Sequence, residues 1–264
     1  MKLVSFIGTG KMGGALASAV IKKVGGENVI LADNDLMKAK EIAGNSGAVC
    51  ETSEIAVKNA RFIFLGVKPQ MMEAVAKTLK PCLQERNDKF VLVSMAAGTS
   101  IQRIEELFGK CPIIRIMPNT PAQVGKGMIL YCANELVEKG DAEEFCGMLS
   151  LSGELDQIDE KLIDAASAVS GSGPAFVYMF IQAMADGGTL CGLPRDKALK
   201  YAIQTTLGAA TLALNSDKHP EQLKDDVCSP GGTTIEGVRT MEENGVRGAM
   251  INAIKATYDK TKKL

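Results

Sequence analysis

Tryptophan is absent from the 264 residues of this chain, histidine occurs once, at His219, and aromatic residues make up only 5% of the total. A single histidine argues against a zinc site, and no metal is expected. Seven cysteines, Cys50, Cys82, Cys111, Cys132, Cys146, Cys191 and Cys228, are scattered along the chain. Their odd number and the lack of any Cys-x-x-Cys pair argue against a disulfide framework, so most are expected to be buried thiols. Neither sign of charge prevails: 30 basic and 31 acidic residues leave a net charge of −1. Nothing in that balance calls for nucleic acid or an anionic membrane surface, and the expected partners are small molecules and copies of the chain itself. The most apolar stretch is interrupted by Gln182 and Asp186 and falls short of the ~20 residues that a bilayer-spanning helix needs. No charged-then-apolar leader opens the chain, since Met1-Lys2 passes directly into a strand-like run, and a cytoplasmic location is the expectation. Internal repeats and low-complexity tracts are also missing.

Glycine is plentiful, and two glycine-rich turns stand where chemistry needs them. Lys2-Leu3-Val4-Ser5-Phe6-Ile7 reads as a buried strand that runs into Gly8-Thr9-Gly10-Lys11-Met12-Gly13 and then into a helical stretch from Gly14 to Lys23. Strand, loop and helix together form a dinucleotide fingerprint. Gly8 permits the tight turn, Gly10 lets the backbone approach a pyrophosphate, and Gly13 lets the helix pack close to the strand. A second strand, Val29 to Ala32, ends at Asp33, twenty residues beyond Gly13, where a carboxylate can accept from a ribose 2′-hydroxyl. That favours NAD, but Asn34 follows and Lys38 or Lys40 could reach a 2′-phosphate, so NADH and NADPH both remain open. Asp33 can equally cap the helix from Asp35 to Ala43.

The second turn is Val227-Cys228-Ser229-Pro230-Gly231-Gly232-Thr233-Thr234, ahead of an amphipathic helix marked by Ile235, Val238 and Met241. Thr233 and Glu236 have capping-box spacing. With no Cβ at Gly231 or Gly232, the unpaired N–H groups at a helix start favour an anion, either a carboxylate or a phosphate. Cys228 has no second histidine to act as its base, which argues against a nucleophilic role. His219-Pro220 reads as a loop before a short helix.

Between these turns, apolar strand-like runs at 48–50, 61–67, 90–94 and 113–117 alternate with helical stretches, the pattern of a parallel sheet covered on both faces. The turns that end them, Val67-Lys68-Pro69, Ala96-Ala97-Gly98 and Met117-Pro118-Asn119-Thr120-Pro121, are expected to face the cofactor. From about Leu162 the chain turns helical. Ser170-Gly171-Ser172-Gly173-Pro174 breaks it before a helix from Ala175 to about Leu190 that is apolar on nearly every side and must be buried. A helical domain of about a hundred residues is hard pressed to cover it, so a second subunit is expected to do so. The expected fold is α/β: an N-terminal Rossmann-type, doubly wound, mainly parallel sheet over 1–161 and an all-helical dimerisation and substrate-binding domain over 162–264.

Taken together, the Gly8 fingerprint, Val67-Lys68-Pro69, Ala96-Ala97-Gly98, Met117 to Pro121, Ser170 to Ala175, Gly192-Leu193-Pro194-Arg195 and the 227–242 segment resemble pyrroline-5-carboxylate reductase from end to end. The last segment, with Gly237, Val238, Met241 and Glu242 after the threonine pair, is the most specific. The resemblance implies reduction of 1-pyrroline-5-carboxylate to L-proline by NADPH or NADH, the last step of proline biosynthesis. It also implies a homodimer and higher homo-oligomers such as a decamer. On the same basis Gly8, Thr9, Gly10, Lys11 and Met12, with Asn34, Lys68 and Ala96 to Gly98, map to cofactor contacts, and Ser229 to Thr234 to the substrate loop. Two positions depart from the family pattern: Asp33 stands where Ser, Thr or a basic residue is frequent in a family that usually prefers NADPH, and Ser53 stands where Asn is frequent.

The chemistry suits these residues. Hydride transfer to a C=N carbon asks the protein mainly for position, because the cofactor carries the hydride and an imine is basic enough to react already protonated. The N–H groups of Gly231, Gly232 and Thr233 are expected to hold the carboxylate, and the Thr234 hydroxyl to hydrogen-bond the ring nitrogen. Related cyclic imines remain an alternative substrate class. Two rival functions predict other features. A β-hydroxyacid dehydrogenase needs a catalytic lysine in the helix after Gly171-Ser172-Gly173, where none occurs before Lys197. A non-catalytic cofactor-binding regulator or scaffold has no need of an anion cradle at Gly231 to Thr234.

Overall fold

Short apolar runs become strands and amphipathic stretches become helices in the computed structural model, which describes residues 2–262. The first part runs β1 (Lys2–Ile7), α1 (Lys11–Val24), β2 (Val29–Ala32), α2 (Leu36–Ala43), β3 (Val49–Cys50), α3 (Ser53–Asn59), β4 (Ala60–Leu65) and α4 (Met72–Gln84). It continues through β5 (Val91–Ser94), α5 (Ile101–Phe108), β6 (Ile113–Met117), β7 (Gly127–Ala133), α6 (Lys139–Leu149), β8 (Gly153–Gln157) and α7 (Glu160–Ser170). One eight-stranded sheet takes the order β3-β2-β1-β4-β5-β6-β7-β8. The strands from β3 to β6 are mutually parallel, and β7 turns antiparallel to β6 and carries β8 parallel to itself. The mainly parallel, doubly wound sheet is as expected. Strands β7 and β8 extend it beyond the six strands apparent from the apolar runs.

Alternate side chains of each central strand enter opposite layers. Phe6, Phe62, Phe64 and Val93 pack with Leu16, Val20 and Phe145 on one face, where Phe6 and Phe64 stack with ring centroids 4.5 Å apart. Ile7, Ile63, Leu65 and Leu92 pack with Met72, Leu79 and Ile104 on the other. A buried charge interrupts the otherwise apolar β6. Arg115, 4% exposed, donates to Glu160 at 3.1 Å and Asp164 at 3.0 Å on α7, and Glu160 also accepts from the N–H of Ile101 at the start of α5 at 2.7 Å. The guanidinium thus fastens α7 and α5 to the sheet, since a buried charge must find partners.

The chain divides into two compact units, one made of the residues up to Ser172 with those from Thr257 onward, the other of Gly173–Ala256. Because Ile163 joins the sheet's core and Arg115 holds Asp164, α7 stays with the first unit. The later elements are α8 (Gly173–Leu190), α9 (Arg195–Leu214), α10 (Pro220–Val227), α11 (Thr233–Glu243) and α12 (Val246–Thr261). Helices α8 and α9 form a hairpin packed on small residues, Ala185, Ala198 and Ala202. Large apolar side chains stay outside it: Met179 is 73% exposed and Leu190 90%, with Tyr178, Leu212 and Leu214 more than half exposed. Helix α8 is apolar on nearly every side, and this chain alone does not bury it.

All seven cysteines are free thiols. Burial pushes the Cys111 thiol up to about 12 and, against the nearby charge of Arg115, the Cys132 thiol up to about 11. Only the thiolate alkylates readily, so at pH 8 the native protein is expected to leave both unlabelled by iodoacetamide while the chain in concentrated urea takes up label at all seven. Peptide mass mapping reads the difference, and native labelling of Cys111 at the unfolded rate would refute it.

Candidate active site

At the end of β1 the chain turns through Gly8 with φ of 95°, and a Cβ there would meet the Gly66 carbonyl group at 2.9 Å. Helix α1 then begins from Gly10, which has extended backbone and no side-chain cap, so the first-turn N–H groups have no partner within the helix. Gly13 lies against the Gly8 carbonyl, and a Cβ would come 2.2 Å from its oxygen. At Gly10, by contrast, nothing lies within 4 Å of where a Cβ would stand. Free donors, the positive end of a helix dipole and a bare backbone facing open space fit a dinucleotide pyrophosphate. The loop sits at the point where the strand order reverses, with β2 on one side of β1 and β4 on the other. Gly8 N–H donates to the Ala32 carbonyl and Gly66 N–H to the Ile7 carbonyl, each at 2.7 Å, knitting these strand ends together.

Asp33 is bound into this loop. Its Oδ2 accepts from the N–H and hydroxyl of Thr9 at 2.6 and 3.0 Å, and its Oδ1 from the N–H of Asp35 at 2.9 Å. It does not cap α2, as it was free to do on sequence: with Asp33 turned back towards Thr9, Asp35 takes the cap and accepts from Met37 N–H at 3.2 Å. Partial burial pushes the Asp33 carboxyl up. The Asp35 and Thr9 hydrogen bonds and the charge of Lys38 outweigh it and hold the group below the ordinary carboxylate range. At neutral pH it is an anion.

A cavity of about 200 Å³ brings together Gly8, Gly10, Asp33, Asn34, Val67 and Lys68. Beside it, a larger one of about 620 Å³ shares Asp33 and Asn34. Ser53 lines both, as the first residue of α3 after the Thr52 cap. Pro69 opens a short 3-10 turn ahead of α4, consistent with a proline at a helix start. Lys11 and Met12 form the first turn of α1, and Ala96, Ala97 and Gly98 follow β5 without lining the cavity. Nor does Asn119 line it. Its amide donates to the Ser170 carbonyl and accepts from Met128 N–H, both at 2.9 Å, so the side chain ties the end of α7 to β7. Gly66 was not singled out in the sequence; a glycine closing the strand beside the fingerprint strand is the signal that marks it.

In the helical unit, the chain passes from α10 to α11 through Cys228 to Gly232. His219 caps α10, accepting from Glu221 N–H at 3.3 Å. Gly231 has φ of 67°, in the left-handed region that glycine favours, and Gly232 N–H donates back to the Ser229 carbonyl at 3.0 Å. That bond removes Gly232 from the expected set of free donors and leaves the N–H groups of Gly231 and of the first turn of α11. The capping box is also corrected. Gly232 is the N-cap, with extended backbone, and Thr233 is already the first helical residue, so its hydroxyl caps nothing and Glu236 pairs with Arg239 at 3.1 Å instead. Among the described residues nothing bonds to the Thr234 hydroxyl, and Ser229, Gly231, Thr233 and Thr234 are exposed. Among them, too, no cluster of three or more His, Cys, Asp or Glu could hold a metal ion, and no helix is long and apolar enough to cross a membrane.

A Rossmann sheet with a nucleotide-ready loop, joined to a helical unit that presents a glycine-rich helix start, defines a dinucleotide-dependent oxidoreductase of the two-domain kind. Residues 160–264 match the family model described as pyrroline-5-carboxylate reductase dimerisation, and residues 3–98 match one described as NADP oxidoreductase coenzyme F420-dependent. The chain is 38% identical to the pyrroline-5-carboxylate reductase of Pisum sativum over 263 residues, covering 99% of this chain and 95% of that protein. It is 39% identical to that of Escherichia coli strain K12 over 268 residues, covering 100% and 98%. The crystal structure of Plasmodium falciparum pyrroline carboxylate reductase with NADP bound matches with a TM-score of 0.88 at 32% identity, covering 99% of this chain and 97% of that one. The chain belongs to the pyrroline-5-carboxylate reductase family. Its second half carries that family's dimerisation domain.

Proposed function

We propose that this enzyme reduces 1-pyrroline-5-carboxylate to L-proline with NADH or NADPH, the last step of proline biosynthesis. The observation that carries the substrate assignment is the Ser229–Thr234 loop, where free N–H groups meet at a bare glycine turn at the head of α11. The Gly231 N–H and the first N–H groups of α11 hold the substrate carboxylate, aided by the positive helix end. Ser229 borders that cradle, and the Thr234 hydroxyl bonds the ring nitrogen. In the first unit, the N–H groups of the Gly8–Gly13 loop, with Lys11 and Met12 in its first helical turn, receive the pyrophosphate. Asp33 and Asn34 face the adenosine ribose, and Val67, Lys68 and the Ala96–Gly98 turn flank the rest of the nucleotide. Asn119 acts by fixing the strand end beside it. When bound, the reduced nicotinamide supplies the hydride, which goes to the imine carbon while nitrogen keeps its proton and becomes a secondary amine. The scarcity of histidine is no obstacle, because a protonated imine needs no strong acid from the protein.

No lysine lies within α8, so the helix lacks the base that a β-hydroxyacid dehydrogenase requires there. The purified protein should oxidise NADH or NADPH, read as loss of nicotinamide absorbance, only when 1-pyrroline-5-carboxylate is added. A failure with both cofactors would leave a non-catalytic nucleotide-binding protein or a reductase of another cyclic imine. The apolar surface of α8 supports a homodimer as the smallest working unit, with a higher assembly such as a decamer resting on the family resemblance alone. Light scattering is expected to give at least twice the chain mass at micromolar concentration; a lone chain would refute this. Seven free thiols suit the reducing cytoplasm, where we place the enzyme.

A further inference from the structure

A dinucleotide with its pyrophosphate over Gly10 must run its adenosine half past the carboxyl end of β2, into the cavity of about 620 Å³ beside Asp33. The wall of that cavity carries Asp33, Glu51 and Glu54 and no lysine or arginine. Of the cations nearby, Lys38 pairs with Asp35 at 3.3 Å while its charge also reaches Asp33, Lys40 acts on Cys50, and Lys68 lines the smaller cavity; none of the three lines the larger one. Thr9 and the Asp35 N–H clamp the Asp33 carboxylate in place: Oδ2 accepts twice from Thr9, while Oδ1 accepts once and retains a lone pair able to accept from a hydroxyl. A ribose with a free 2′-hydroxyl supplies such a donor. A 2′-phosphate instead brings about −1.5 to −2 charges at pH 7 against a wall that carries three carboxylates and no lysine or arginine.

We infer that Asp33 makes this enzyme select NADH over NADPH by accepting from the 2′-hydroxyl and repelling the 2′-phosphate. The inference rests on the reading of the Gly8–Gly13 loop as the dinucleotide site. Titration of each reduced nucleotide into the substrate-free protein, followed by nicotinamide emission, tests it without turnover. Wild-type protein is expected to bind NADH about tenfold or more tighter than NADPH, a gap that narrows as salt screens the charge. Asp33→Ser should close most of that gap. Asp33→Asn keeps an acceptor for Thr9 while removing the charge, and should gain NADPH affinity, with a modest fall in melting temperature because its amide NH2 cannot accept from the Asp35 N–H. Equal or tighter NADPH binding by the wild type, or a gap that survives both substitutions, overturns the inference and leaves the site intact. If neither nucleotide binds, the dinucleotide reading itself falls, and the inference with it.

Discussion

Replacing Thr234 with alanine is expected to lower kcat by on the order of tenfold to a thousandfold, the range for loss of one well-placed hydrogen bond or proton relay. A hydroxyl at the start of a helix can instead serve as a cap, whose loss costs about 1 kcal/mol of stability. The structure separates the two roles. Gly232 occupies the cap of α11, Thr234 stands within the first turn, and no described residue bonds to its hydroxyl. The melting temperature of Thr234→Ala should therefore stay within a degree or two of wild type while turnover falls. Serine at the same position keeps the hydroxyl and should restore most of the rate. A fall in stability with unchanged kinetics would remove Thr234 from the mechanism and return it to the helix.

The parallel half of the sheet was legible because its strands are buried on both faces and read as unbroken apolar runs, as at Phe62 to Leu65. The antiparallel extension was not. Gly153–Gln157 is a short, mostly polar edge strand with carboxylates at Glu154 and Asp156, and only its pairing with β7, Gly127 opposite Gly153 through Tyr131 opposite Gln157, makes it a strand. Arg115 was hidden inside an apolar run for a related reason: its partners lie on α7, far along the chain, and a buried ion pair is a tertiary fact. Cap positions failed by one or two residues. The Thr233/Glu236 spacing fits a capping box, and Asp33 is a good cap type, but backbone angles set the caps at Gly232 and Asp35. Two glycines of the first loop answer to steric demands that no other residue meets, Gly8 through its φ of 95° and Gly13 through its contact with the Gly8 carbonyl, while Gly10 meets none within the chain. What sequence could not supply was the state of the donors, such as the Gly232 N–H already spent within its own turn.

The glycines of that loop lead to a paired expectation. In Gly13→Ala the new methyl carbon must occupy a point 2.2 Å from the Gly8 carbonyl oxygen and 3.2 Å from its carbon, both backbone atoms that cannot swing aside. The start of α1 has to move away from β1, and with it the N–H groups aimed at the pyrophosphate. Overpacking of this kind costs about 1–3 kcal/mol, so the variant should melt several degrees lower, and its nucleotide affinity should fall by roughly a hundredfold, equivalent to ~2.8 kcal/mol. Gly10→Ala divides those effects. Gly10 has φ of −62° and ψ of −170°, angles that alanine adopts without strain, and its Cβ would meet nothing within 4 Å. The protein should fold as well as wild type. The methyl nevertheless projects into the space assigned to the pyrophosphate, and calorimetric titration should show nucleotide affinity reduced by on the order of tenfold or more with an unchanged melting temperature. If Gly10→Ala binds nucleotide like the wild type, the phosphates do not cross the loop at Gly10, and the placement of Asp33 against the adenosine ribose, which depends on that crossing, fails with it.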